Sequence, residues 1–186
     1  MTACTLADSS YSAEIDIGID HVDLAQWLAH LGNDEYQRCC APDHLACGFT
    51  HTDDGRPMSI NVETVGPSLL VQQYVAEVFE PHLCRLVSLS DVFPLNGGRT
   101  QTSVIWTLRV EAVGESRCRL VNSVISKATP GFLEFIGQRG QTLEEASAPR
   151  RHASADHNRR ETTGFAASIA RAAKARQRAQ RPVGEM

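Results

Sequence analysis

Alternating hydrophobic and polar residues dominate the first two thirds of the chain, which is the pattern of strands that bury one face. In residues 11–20, Ile15, Ile17 and Ile19 alternate with polar neighbours. Similar segments follow one another from residue 45 onward. They span residues 45–51, 58–65, 69–79, 83–93, 100–113 and 117–126. Because the turns between them are short, we expect these strands to pair antiparallel in chain order.

Two short helices are predicted between the first strand and residue 45. Asp20 is placed to cap the first helix, and apolar residues recur at helical spacing after it. These residues are Val22, Leu24, Trp27, Leu28 and Leu31. The second helix covers residues 34–40 and is stopped by Pro42, because proline lacks the N–H that a helix interior requires.

The last third of the chain is predicted to be helical. Thr129 caps a helix that has Pro130 in its first turn. A much longer helical stretch covers residues 142–179, with Pro149 as a kink or break. The basic, alanine-rich residues 171–181 are expected to fray into a solvated tail.

This order of elements predicts an α+β fold. An antiparallel curved sheet of about seven strands would wrap around the long C-terminal helix, which covers its concave face. A length of 186 residues suits one domain. We expect a flexible N-terminus over residues 1–10, a single domain over residues 11–175 and a basic flexible tail over residues 176–186.

Composition and charge argue against several classes of protein. Hydrophobic residues make up 42% of the chain and charged residues 22%, so we expect a packed core and not global disorder. A net charge of −4 argues against a nucleic-acid-binding protein, and no apolar run is long enough to span a membrane. The first ten residues lack the features of a secretory signal. The six cysteines, which form no C-x-x-C pair, are therefore expected to be reduced thiols in the cytoplasm.

The order of elements over residues 11–175 resembles the helix-grip fold of the Bet v 1, START and polyketide-cyclase (SRPBCC) superfamily. The resemblance implies a deep, mostly apolar cavity between the sheet and the last helix. Members of the superfamily bind lipids, hormones and polyketides, and some catalyse cyclisation, hydrolysis or lyase reactions. A small apolar or aromatic ligand is therefore the implied partner.

His157 and Glu161 form the most distinctive polar pair. They are four residues apart and so share one helix face, where an imidazole and a carboxylate can grip a divalent metal together. Phe165 and Ser168 continue that face, which indicates that it is directed toward the sheet. The alternative is a pair on the helix surface, or one satisfied by hydrogen bonds within the core.

Glu63 is the candidate third ligand, because it shares the polar face of its strand with Asn61. A tight turn at residues 54–55 would place Glu63 opposite Ala46. A slip of up to two residues at the turn would bring His44 beside Glu63 instead. Two nitrogen and two oxygen ligands are a set that suits zinc.

This set is similar to the metal site of diacetylphloroglucinol hydrolases, helix-grip enzymes that cleave a carbon–carbon bond and bind zinc through two His and two Glu. The His-x-x-x-Glu pair of the last helix matches their motif directly, and Glu63 matches by position. For the second histidine we favour His44 over His30 and His51. The chain is shorter than those enzymes, so its substrate need not be the same.

Tyr74 and Glu63 are the candidate catalytic residues. A tyrosine in this place can donate a proton or hold an oxyanion, and the alternative is a core aromatic. The candidate substrate-binding residues share positions that are predicted to face the cavity. They are Asn61, Gln72, Tyr74, Trp106, Asn122 and Phe165. For Asn122, exposure to solvent is the alternative.

Together these features favour an enzyme that depends on zinc or another divalent metal. It would be a hydrolase or lyase acting on a polyketide-like or aromatic carbonyl compound. A metal-free cyclase or dehydratase is the alternative reaction, and a carrier of hydrophobic ligands needs only the cavity. An interaction module working through the basic tail is a further class. We expect no nucleic-acid or membrane partner, and a homodimer is compatible with the sequence.

Overall fold

A computed structural model describes residues 4–180 of the chain. Seven antiparallel strands form one sheet. They are β1 (Thr5–Ile15), β2 (His44–His51), β3 (Pro57–Val65), β4 (Ser68–Glu80), β5 (Leu83–Pro94), β6 (Thr100–Gly114) and β7 (Arg117–Ala128). Their order across the sheet is β1-β7-β6-β5-β4-β3-β2. Short turns produce this pairing of successive strands, and in the β2–β3 turn Gly55 has a φ of 83°, which favours glycine.

Four helices accompany the sheet. They are α1 (Leu24–Ala29), α2 (Asn33–Cys39), α3 (Pro130–Gly137) and α4 (Leu143–Gln180). The long helix α4 contacts β1, β7, β3 and α2. These elements confirm the predicted helix-grip architecture. It is an α+β fold in which a curved antiparallel sheet surrounds a long C-terminal helix, with two short helices after the first strand.

The apolar core fills only one end of the space between the sheet and α4. There, Phe165, Ile169 and Ala173 of α4 are buried in one cluster with Trp27 and Trp106. A smaller cluster lies near α3. It consists of Leu6, Phe132, Ile136 and Ala146. The part of α4 between the two clusters lines a cavity instead.

The first strand begins earlier than the alternation pattern predicted. β1 starts at Thr5 and pairs with β7 along its length, so residues 5–10 are not the flexible segment that we expected. Leu6 is fully buried in the smaller apolar cluster, and Ser9 accepts a hydrogen bond from the Asn158 side chain. These contacts order residues 5–10, which are mostly small or polar and do not alternate regularly between hydrophobic and polar side chains. Residues 1–3 lie outside the described part of the chain.

Helix α1 is capped by Asp23 and not by Asp20. The Asp23 carboxylate accepts a hydrogen bond from the backbone N–H of Gln26 at 2.8 Å. Asp20 lies instead in a 3₁₀ turn, Ile19–His21, that precedes the helix. Ile19 therefore belongs to this turn and not to the first strand.

Helix α4 is continuous through Pro149 and reaches Gln180. A proline removes one backbone hydrogen bond, a small loss in a helix of 38 residues. Arg171 forms an ion pair with Glu35, and Arg176 donates a hydrogen bond to Gln26 at 3.0 Å. The helix therefore does not fray from residue 171, and the basic tail does not begin at residue 176. Residues 181–186 of the predicted tail lie outside the described part of the chain.

Candidate metal centre and cavity

The pairing of β2 with β3 places His44 beside Glu63. His51 pairs with Pro57, which is one residue away from the register predicted from the turn. A bulge between His44 and Ala46 then shifts the register by one further residue. The turn and the bulge each shift the pairing by one residue. Together they give the shift of two residues that brings His44 opposite Glu63.

Helix α4 brings His157 and Glu161 to the same point. One donor atom from each of these two residues, from His44 and from Glu63 lies within 4.8 Å of the other three, and all four residues are buried. The Nε2 atom of His44 lies 3.6 Å from Glu63 Oε2 and 3.2 Å from Glu161 Oε2. The Nε2 atom of His157 lies 3.5 Å and 3.6 Å from the same two oxygens.

These separations fit a tetrahedral zinc ion. Zinc binds histidine nitrogen at about 2.0–2.1 Å and carboxylate oxygen at about 2.0–2.2 Å, which places neighbouring ligand atoms about 3.3–3.5 Å apart in a tetrahedron. Moreover, His157 Nε2 is buried and faces the two carboxylates at distances longer than an ordinary hydrogen bond, so it has none among the described residues. Ion-pair contacts this long leave room for a cation between the nitrogen and the carboxylates. The four residues present therefore fit the metal.

The far nitrogen of each histidine is held by an oxygen. Nδ1 of His44 lies 2.8 Å from the carbonyl oxygen of Tyr36, which can only accept, so Nδ1 donates to it and Nε2 is the nitrogen that faces the cluster. Nδ1 of His157 lies 3.0 Å from Oδ2 of Asp43, which fixes that ring in the same way. Metal-binding histidines characteristically have such a partner on the other nitrogen.

The two carboxylates are positioned by neutral donors. The Tyr36 hydroxyl donates to Oε2 of Glu63 at 2.8 Å, and the Asn122 amide donates to Oε1 of Glu161 at 2.9 Å. The Trp106 indole N–H in turn donates to Asn122 at 2.9 Å. These bonds orient both carboxylates without neutralising them.

The cluster therefore favours added positive charge. Burial alone lowers the pKa of His157. However, the negative charge of Glu63 and the contacts of His157 with Cys40 and Glu161 raise that pKa well above its ordinary value. Burial raises the pKa of Glu161, yet its contacts with both histidines lower it overall. A divalent cation supplies the same positive charge as a proton on the His157 imidazole and would displace that proton when it binds.

Sequence reasoning missed the residues around the ligands. Arg160 forms ion pairs with Asp43 and Asp156 and also contacts Cys40. Burial raises the pKa of Asp43, but the hydrogen bond to His157 and the contact with Arg160 lower it overall. The only sequence signal was the position of Asp43 immediately before His44. Tyr36 carried no signal, because its role depends on how α2 packs.

Cys40 offers an alternative ligand, since a second set of candidate metal ligands consists of Cys40, His44 and His157. However, the Cys40 sulfur lies 3.8 Å from Nδ1 of His157, the nitrogen that Asp43 already holds. The set that contains both carboxylates uses the Nε2 atoms of the two histidines, which face the cluster, and is therefore the better candidate.

The other two histidines considered lie away from the cluster. His30 is exposed, and its Nδ1 contacts the carbonyl oxygen of Gln26 at 2.8 Å. His51 is exposed at the end of β2, where its ring packs edge-on against Phe49. His44 is therefore the histidine that the fold brings to Glu63.

Replacing Asp43 by asparagine is expected to lower zinc affinity about 10- to 100-fold, because this residue holds the His157 ring. Competition with a chromophoric zinc chelator measures the change. Asp156→Asn is the matched control, because Asp156 also pairs with Arg160 but does not contact His157. Equal losses in both variants would show that the effect acts through Arg160 and would contradict the role given to Asp43.

The cluster forms part of the wall of a cavity of about 490 Å³ between the sheet and α4. Glu63, His157 and Glu161 line it, whereas His44 lies behind them. Four of the predicted substrate-binding residues line the same cavity. They are Asn61, Gln72, Tyr74 and Trp106.

The remaining two substrate-binding candidates are placed differently. Asn122 is fully buried behind Glu161 and does not line the cavity. Phe165 is also fully buried, and its ring packs against those of Trp27, His44 and Trp106. Both residues support the cluster from the core side, because Phe165 lies one helical turn beyond Glu161, where the packed core begins.

Tyr74 lies in the cavity wall as a neutral hydroxyl. Burial and the charges of Glu63 and Glu161 raise its pKa well above the ordinary value. Its oxygen accepts a hydrogen bond from the Gln72 amide at 2.8 Å. The Oε1 atom of Gln72 is itself buried and has no partner among the described residues. The pair therefore presents a hydroxyl donor and an amide acceptor to a ligand.

Comparisons with known proteins support the fold. The Zhui aromatase/cyclase from Streptomyces sp. R1128 matches with a TM-score of 0.59 and 11% identity, over 96% of this chain and 98% of that one. A norcoclaurine synthase point mutant from Thalictrum flavum matches with a TM-score of 0.50 and 12% identity, over 95% and 99%. The protein TTHA0849 from Thermus thermophilus gives a TM-score of 0.53 and 12% identity, over 89% and 98%. The chain therefore shares the fold of these structures, which agrees with the helix-grip architecture described above.

Comparisons of the sequence do not identify a family for the chain. No protein-family model matches the chain, and no curated protein matches it. Within the described residues, none of the helices combines the length and hydrophobicity needed to cross a lipid bilayer. Activity, ligand and metal must therefore be argued from the geometry of the site.

Proposed function

We propose that this protein is a zinc-dependent hydrolase or lyase that acts on an aromatic or polyketide-like carbonyl compound. The observation that carries the proposal is the Nε2 atom of His157, which is buried beside two carboxylates and a second imidazole at a cavity wall and forms no hydrogen bond of ordinary length among the described residues. A purely structural ion-pair network would be expected to use this nitrogen in a hydrogen bond.

The chain's own residues have distinct roles in this proposal. His44, Glu63, His157 and Glu161 would hold the metal. When bound, the zinc would supply a Lewis acid for a carbonyl oxygen or an acidified water, which it would take up as a fifth ligand in addition to the four side chains. Tyr74 donates a hydrogen bond to a substrate oxygen, and because it stays neutral it acts as an acid and not as a base. Glu63, which also lines the cavity, is the candidate base.

The cavity fits a substrate of modest size. Its volume of about 490 Å³ lies within the range of small-molecule sites. Trp106 offers an aromatic face, and Asn61 and Gln72 offer polar contacts at the same wall. An aromatic ring with a carbonyl substituent combines the apolar surface and the oxygen that these groups accept.

A metal-free cyclase or dehydratase is the second candidate. It is favoured by the likeness to aromatase/cyclase structures and by the raised pKa of His157, which would make its imidazolium a proton donor. A non-catalytic carrier would need the cavity alone.

The test compares zinc-loaded and chelator-treated full-length protein on trihydroxyacetophenone, an acylphenol. Hydrolysis breaks the ring–acyl bond, consumes one water, places a proton on the ring carbon and releases acetate. We expect about one zinc per chain and release of acetate by the zinc-loaded protein alone. Protein that takes up no zinc, or equal release by both preparations, would contradict the proposal.

The proposed location is the cytoplasm. Cys39, Cys40, Cys47, Cys84 and Cys118 are free thiols in the structure. Burial raises the pKa of Cys39 and of Cys84 to about 12, so both stay protonated and unreactive. This cysteine usage suits a reducing compartment.

A further inference from the structure

One face of α4 connects the two ends of the cavity. Arg150, Ala153, Ser154, His157 and Glu161 follow one another at helical spacing, and all line the cavity. With a rise of about 1.5 Å per residue, the backbone positions of Arg150 and His157 are about 10 Å apart along the helix. The metal centre is therefore at one end of this wall, and a guanidinium is at the other.

Arg150 is positioned but unpaired. Its guanidinium carbon lies 4.8 Å from the centre of the buried Phe132 ring. Among residues 4–180 it has no other partner, whether carboxylate, carbonyl or hydroxyl. Burial lowers its pKa, and no neighbouring charge offsets that effect. Its sequence neighbour Arg151, by contrast, is exposed and paired with Glu144.

The acidic group that lines the cavity at this end is already engaged. Glu145 lines the cavity, but its carboxylate accepts hydrogen bonds from the backbone N–H and the hydroxyl of Thr142, each at 2.8 Å. Arg139 also lines the cavity, and it stacks on Phe135 and donates to the carbonyl of Gly97. Among the described residues at this end, Arg150 is therefore the guanidinium that lines the cavity without a hydrogen-bond acceptor.

We propose that Arg150 selects ligands that carry a carboxylate at the end of the molecule opposite to the carbonyl group held at the metal centre. A bidentate contact with a carboxylate satisfies a half-buried guanidinium better than water does. An apolar aromatic spacer would then lie along Trp106 and Tyr74. The position of the carbonyl rests on the proposed function, whereas the preference for an anion rests on Arg150 alone.

The test measures binding with zinc removed by a chelator. One probe is an acetylbiphenyl carboxylate, with the acetyl and carboxylate groups at opposite ends of the two rings. The other probe has a methyl group in place of the carboxylate. Quenching of tryptophan fluorescence reports binding, because Trp106 lines the cavity. In the wild type we expect the carboxylate probe to bind roughly 10- to 100-fold more tightly.

Arg150→Met is expected to abolish this preference while leaving the affinity for the neutral probe within about threefold. Arg150→Lys, which keeps the charge, should retain part of the preference. Arg151→Met is the matched control and should behave like the wild type. Equal affinities of both probes in the wild type, or a preference that survives Arg150→Met, would overturn the inference. Because zinc is absent, a failed metal site would leave this result unaffected.

Discussion

Replacing His157 by glutamine is expected to lower zinc affinity by at least about 100-fold. The binding free energy of a four-ligand zinc site is about 10–16 kcal/mol, and losing one ligand removes a large share of it, with 1.4 kcal/mol corresponding to a factor of about 10. Glu161→Gln should have a similar effect, because glutamine keeps the shape of the side chain but not its charge. Elemental analysis after dialysis against a weak chelator measures the bound zinc.

A matched control for these variants lies on the same helix. His152 is exposed and belongs to neither group of candidate ligands, so His152→Gln should keep about one zinc per chain. Thermal unfolding of the metal-free proteins checks that each variant folds. If His157→Gln binds zinc as tightly as the wild type does, the assignment of His157 as a ligand is wrong.

Replacing Gly164 by alanine is expected to have the largest effect on stability. A Cβ atom at this position would lie 1.9 Å from the backbone oxygen of Cys39, so α4 must move away from α2. Overpacking against backbone costs about 3 kcal/mol or more, which corresponds to a fall in Tm of about 6–12 °C for a chain of this size. The movement would also separate His157 and Glu161 from His44, so zinc affinity should fall as well.

Gly137→Ala is the control for this prediction. Gly137 lies in α3, and nothing lies within 4 Å of the Cβ atom that alanine would add. The unfolding free energy of Gly137→Ala should exceed that of the wild type by no more than about 1 kcal/mol, because alanine favours a helix more than glycine does. Equal stability of the Gly164→Ala and wild-type proteins would show that the close contact between α2 and α4 is not required.

The fold was largely predictable because its strands are half-buried. Alternation marks a strand when one face contacts the core and the other contacts solvent, and short turns then determine which strands pair. The start of β1 was missed because residues 5–10 are mostly small and polar, and their order comes from pairing with β7. The cap of α1 was misplaced by three residues, because Asp20 and Asp23 both precede apolar helical positions.

The candidate ligands were predictable for a different reason. Helical spacing fixed His157 and Glu161 on one face. Strand alternation put Glu63 on the polar face of its strand, which could have contacted either solvent or the cavity. The pairing with His44 remained open, since a bulge in β2 adds a residue without any mark in the sequence. The residues that orient the ligands, Tyr36 and Asp43, come from α2 and the loop after it, and only tertiary packing brings them to the site.

The unfilled half of the space between the sheet and α4 was implied by resemblance alone. Its physical origin is visible in the side chains of α4. Small or polar residues, among them Ala153, Ser154 and Asn158, line the cavity, whereas Phe165 and Ile169 fill the core further along. The metal cluster lies at the boundary between these two stretches.

Anomalous X-ray diffraction at the zinc absorption edge, from crystals of zinc-loaded protein, shows whether these four residues bind the metal. We expect one strong peak per chain, bonded to Nε2 of His44 and of His157 at about 2.0–2.1 Å and to carboxylate oxygens of Glu63 and Glu161. No peak within bonding distance of these four residues, with His157 Nε2 hydrogen-bonded to protein or water, would contradict this expectation.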